Sequence, residues 1–219
     1  MITKQLIVYL LACMGLLACS ASSVTIEGKD GINRQKEYYL YGCQAGSLIP
    51  IASALIDSNG CFRLNVPLPQ EGFYLLGTEQ GVMHPFYLKG NETIRLRFQT
   101  NGMILEGEQT PENQALSQWE QAATLVREHA FLYERFGGGY STDPATFTQE
   151  LEDLLRVRQQ LKPEKATGNA TFNSLLKAKM EADVDFYALA YLQRNAGNLS
   201  DTIRLSSGTI PLIAVIMNL

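Results

Sequence analysis

Ile94-Arg95-Leu96-Arg97-Phe98 alternates apolar and charged side chains without a break. Successive side chains of a strand point to opposite faces, so this stretch has one buried and one wet face. Phe62, Leu64 and Val66 alternate with Arg63 and Asn65 in the same way. Working outward, short β-prone runs fall at 24–26, 38–41, 51–56, 62–66, 73–76, 86–88, 93–98 and 103–105, punctuated by Gly, Asn and Asp. Asn59-Gly60 accepts the positive φ of a tight hairpin turn, and Gly90-Asn91 and Asn101-Gly102 mark further turns. No helical pattern intervenes, so residues 24–109 are expected to form an antiparallel β-sandwich-like domain.

Thr110-Pro111 begins a switch, with Thr as N-cap and Pro at the first helical position. Leu116, Trp119, Ala123 and Val126 lie on one helical face, and Gly137-Gly138-Gly139 ends that helix. Asp143-Pro144 repeats the start signal before a stripe of Phe147, Leu151, Leu154, Leu155 and Leu161. A third stripe contains Phe172, Leu175, Leu176, Met180, Val184, Tyr187, Ala188 and Tyr191, with Asn195-Ala196-Gly197 as its stop. The fold class is therefore α+β, with a helical region of about three helices at 110–200. Residues 201–219 end in an almost wholly apolar run from Ile210, too short for a membrane-spanning helix.

At the other end, Lys4 precedes an apolar run over residues 6–17, and Leu16-Leu17-Ala18-Cys19 closes it. This resembles the lipobox of bacterial lipoproteins. The resemblance implies a signal peptide at 1–18, lipidation of Cys19 and a tether at 19–23. The implied location is the envelope of a Gram-negative bacterium, attached to a membrane through the lipid anchor. The uncharged Ser20-Ala21-Ser22-Ser23 points to a periplasm-facing protein, since surface-exported lipoproteins carry an acidic cluster there.

The 219 residues hold 18 Lys+Arg and 22 Asp+Glu, a net charge of -4, with no basic block, which argues against nucleic acid as a partner. Beyond Cys13 in the leader and Cys19, only Cys43 and Cys61 remain. An exported chain permits their pairing as a disulfide, and two small buried thiols are the alternative. Their spacing is not that of a redox dithiol, which sits as Cys-x-x-Cys at a helix start. His84 and His129 are far apart in sequence, no ligand cluster surrounds them, and no metal or cofactor is expected. No Gly-x-Ser-x-Gly elbow occurs, and the triple glycine lacks the Lys-Ser/Thr of a phosphate loop. Glu150, Glu152 and Asp153, with Arg156 and Arg158 nearby, read as a solvated helix face. Tyr39 and Tyr41 share one side of a strand and are candidates for a sugar platform, against core packing for the tyrosines of this run. Asp201-Thr202-Ile203 matches a short O-glycosylation pattern.

Three segments then follow a familiar order: Asn59-Gly60-Cys61-Phe62-Arg63-Leu64, Gly72-Phe73-Tyr74-Leu75-Leu76, and Pro85-Phe86-Tyr87-Leu88-Lys89-Gly90-Asn91-Glu92-Thr93-Ile94-Arg95-Leu96. Leu105-Glu106-Gly107-Glu108 comes after them. Together they resemble the N-terminal accessory domain of unknown function in lipid-anchored thiol–disulfide oxidoreductases of the TlpA and ResA type, over roughly residues 24–120. The family's redox motif, Trp-Cys-x-x-Cys, has no counterpart here: Trp119 stands between Gln118 and Glu120, and no cysteine follows Cys61. The expectation is a non-catalytic binding or scaffolding module, with an envelope protein or a thioredoxin-like protein as partner. A truncated or split oxidoreductase and a glycan-binding accessory lipoprotein are the rival readings.

Overall fold

The computed structural model describes residues 22–31, 36–44, 46–79, 83–99, 102–131 and 142–195. The expected leader, Cys19, the triple-glycine loop, the glycosylation pattern and the apolar segment 201–219 lie outside the described residues. The chain divides into two compact units, 1–107 and 108–219.

The first unit is β-rich. Its strands are β1 (Ser23–Asp30), β2 (Glu37–Gln44), β3 (Ser47–Leu55), β4 (Cys61–Pro67), β5 (Gly72–Gly77), β6 (His84–Leu88), β7 (Glu92–Gln99) and β8 (Gly102–Glu106). They form two four-stranded sheets, in the orders β4-β1-β7-β8 and β3-β2-β5-β6. The alternating residues do what the period of two requires. Val24, Ile26, Leu64, Val66, Ile94 and Leu96 from one sheet meet Tyr38, Leu40, Tyr74, Leu76, Phe86 and Leu88 from the other in a single apolar cluster. This is the layout of a β-sandwich, and with the helices that follow it gives the expected α+β class.

Two features depart from the sequence expectation. β1 and β7 run parallel, with Val24 opposite Glu92 and Asp30 opposite Phe98. The Asn59-Gly60 turn does not join hydrogen-bonded partners: β3 pairs with β2 and β4 with β1, so the turn carries the chain from one sheet to the other. The turn itself is closed as its residues dictate. Asp57 Oδ1 accepts from the N–H groups of Asn59 at 2.9 Å and Cys61 at 2.8 Å, and Gly60 adopts φ +77°, which is open to glycine at little cost.

The second unit contains α1 (Pro111–Phe131), α2 (Pro144–Leu161), a short 3-10 turn (Pro163–Lys165) and α3 (Ala170–Asn195). Asp143 caps α2 by accepting from Thr146 N–H at 3.0 Å, with Pro144 at the first position. The apolar stripes converge on a second core: Trp119, Phe147, Phe172, Leu176 and Met180 are fully or almost fully buried. Phe147 and Tyr191 stack at 3.9 Å between ring centroids, joining α2 to α3. Leu175, placed on the stripe by spacing, is 37% exposed. No helix among the described residues is long and apolar enough to cross a membrane.

Candidate functional site

The outward face of the β4-β1-β7-β8 sheet carries an ordered set of charges. The register lines up Arg63, Glu27, Arg95 and Glu106 across four successive strands. Glu27 bridges its neighbours, with Oε1 at 3.5 Å from Arg63 Nη1 and Oε2 at 3.1 Å from Arg95 Nε. Glu106 Oε1 lies 2.5 Å from Arg97 Nη2. One row further along β1, Lys29 stands directly opposite Arg97. Like charges facing each other across a ladder are unfavourable. The face thus holds four cations against two carboxylates, beside a shallow groove of about 500 Å3 lined by Glu27, Lys29, Asp57, Cys61, Arg63 and Arg95 among others. Each exposed ion pair contributes at most about 1 kcal/mol. The arrangement therefore contributes little to holding the sheet together.

The two thiols that could have paired are both free. Cys43 is exposed on β2 and Cys61 is half-buried at the start of β4, in different sheets. The alternative of two buried thiols fails for Cys43 as well, because it sits where the β2–β3 ribbon runs out beyond the core. Cys61 Sγ is 3.9 Å from the Asn59 carbonyl oxygen. The tyrosine run divides as strand geometry requires. Tyr38 is buried, stacked at 4.5 Å on both Phe62 and Phe98. Tyr39 and Tyr41 point outward together, with centroids 6.0 Å apart, and the Tyr39 hydroxyl donates to Glu37 at 2.8 Å.

The helical unit holds a charge cluster that the sequence reading missed. Lys179 Nζ lies 2.9 Å from Glu120 Oε1 and 2.7 Å from Asp183 Oδ2. Arg127 reaches Glu120 Oε2 at 2.8 Å, and Trp119 Nε1–H donates to Asp183 Oδ2 at 2.7 Å. Burial works against the Lys179 ammonium, but the two carboxylates outweigh it and hold its pKa above the ordinary lysine range. The cluster ties α1 to α3, and its acids are neutralised within it. The available signal was Lys179 and Asp183 at i and i+4, with Glu120 beside Trp119. Of the two histidines, His84 opens β6, and His129 Nδ1 is 2.6 Å from Glu150 Oε2. The expected solvated acidic face is split accordingly: Asp153 pairs with Arg156 at the surface, while Glu150 turns to α1. Among the described residues no three His, Cys, Asp or Glu side chains converge as metal ligands.

Comparison with known families, with curated proteins and with solved structures finds no match for this chain.

Proposed function

We propose that this chain is a lipid-anchored protein of the Gram-negative cell envelope, held to the membrane through Cys19 and facing the periplasm. Its β-rich unit binds and positions a partner protein and performs no chemistry itself. On the resemblance of residues 24–120, it is related to the accessory region of thiol–disulfide oxidoreductases, and its partner is an envelope protein or a thioredoxin-like protein with acidic side chains. The observation that carries the reading is the charged groove. Lys29 stands opposite Arg97, and the face carries four cations against two carboxylates, a charge balance that an acidic partner group complements.

A photocross-linking residue at position 63 tests this in cells. Capture of a defined envelope partner, lost when Lys29→Glu and Arg97→Glu are combined, is the expected result. Turnover of insulin disulfides by the purified chain would overturn the non-catalytic reading. A glycan-binding reading draws on one observation, the outward pair Tyr39 and Tyr41. Heats of binding for glycans that vanish in Tyr41→Ala would favour it over a protein partner.

A further inference from the structure

We propose that one end of the β-sandwich lies directly against the lipid headgroups. That end carries Ser22, the 68–71 and 89–91 connections and the β2–β3 hairpin. The inference rests on lipidation at Cys19.

The described chain is fixed from its first residues. The Ser22 carbonyl accepts from Leu68 N–H at 2.7 Å, and the Ser23 carbonyl accepts from Asn91 N–H at 2.7 Å. Ser22 also covers Gly90, where an added Cβ would come within 2.4 Å of the serine side chain. Only three residue steps separate Ser22 from Cys19, and an extended chain spans at most ~3.6 Å per residue, so the reach is about 11 Å. The headgroup layer alone takes up roughly 5–7 Å of that. The clamped end of β1 is therefore held within a few ångströms of the polar surface. A strand rises about 3.3 Å per residue, which puts Asp30 about 23 Å further along β1. The Asp30 N–H donates to Gly60 O at 2.7 Å, so the 57–60 turn belongs to the far end.

β3 leads into that far turn, so its beginning, with the β2–β3 hairpin, lies at the end away from the turn. Leu48 at 47% and Ile49 at 40% are exposed there, and Leu55 at 73% is exposed at the far end, so the orientation rests on the clamp at Ser22 and not on apolar exposure. The adjoining connections carry Gln70, Glu71, Lys89 and Asn91, polar side chains that fit the headgroup layer. The groove around Arg63 and Arg95 then stands clear of the lipid, where a partner can reach it.

Full-length protein purified from membranes is reconstituted into phosphatidylethanolamine–phosphatidylglycerol vesicles containing a phospholipid with a diazirine headgroup. Cross-linked peptides are mapped by mass spectrometry. The expected pattern is label on peptides covering 44–49, 68–71 and 89–91, and loss of label at 57–63. Label on 57–63, or label spread evenly along β1 and β4, overturns the orientation while the anchor stands. Absence of an acyl mass on the Cys19 peptide overturns the anchor itself, and the orientation with it.

Discussion

At Gly28 a single added methyl group meets a packed aromatic ring. Gly28 pairs with Phe62 across β1 and β4, and the Phe62 ring occupies the space its side chain would take: an added Cβ would lie 2.1 Å from that ring. The ring in turn stacks on Tyr38, which stacks on Phe98. Gly28→Ala forces this stack to shift and is expected to cost about 1–3 kcal/mol in urea unfolding. A variant as stable as the wild type would show that the stack repacks freely. Tyr38 adds a pH dependence. Burial, and then the Asp30 carboxylate that accepts from its hydroxyl at 3.4 Å, push its pKa above the ordinary value of 10.0. A raised folded pKa means stability that is complete below the unfolded value and is lost as pH rises past it. Stability is therefore expected to fall between pH ~9 and ~11, and Tyr38→Phe to fall less over the same interval. Equal slopes in the two proteins would remove Tyr38 from the account. The burial of Phe62 follows from strand alternation, and alternation sets Tyr38 on the face opposite Tyr39 and Tyr41 without saying which face is dry. The need for glycine at position 28 does not follow from alternation, because it depends on which strand lies alongside.

At the scale of elements, strand positions were legible because strands such as β1, β4 and β7 have one dry and one wet face, and the period of two records it. Partners were not. The parallel pairing of β1 with β7 joins residues 68 apart, and nothing within either strand encodes it. The β3–β4 turn has good hairpin chemistry, yet its strands belong to different sheets, because turn residues fix the local backbone and not the pairing beyond it. The helical ion cluster was hidden for the same reason: Glu120 and Lys179 meet only once α1 packs on α3. That contact makes a sharp test. Lys179→Met leaves Glu120 and Asp183 facing each other half-buried, and is expected to cost about 3 kcal/mol. Arg156→Ala removes an exposed partner of Asp153 and is expected to cost under about 1 kcal/mol. Similar losses in chemical denaturation would contradict the distinction. The cap of α2 gives an acid dependence. Hydrogen bonds from Thr146 hold the Asp143 carboxyl below its ordinary value of 3.8. Its contribution is present above that value and lost as pH falls through the depressed one. The Asp143→Asn variant should therefore lose less stability than the wild type on acidification below pH ~4, measured by helical circular dichroism on melting.

For the whole molecule, the division at residue 107 matches the point where the sequence changes period, from two to 3.6. Each unit has its own apolar core, so fragment 20–107 is expected to give a cooperative β-type melt without the helices. A fragment that stays unfolded would show that its core is incomplete. The α+β class and both halves were readable because patterning operates within each element. The groove was not, since Arg63, Glu27, Arg95 and Glu106 become neighbours only through the sheet order. The proposed function rests on a charged surface for a partner and on attachment through Cys19, and the attachment is the more directly measured of the two. Cells fed a clickable palmitate analogue should label the wild-type protein in the membrane fraction, and Cys19→Ala should carry no label. Label retained in the Cys19→Ala protein, or none on the wild type, would contradict the account.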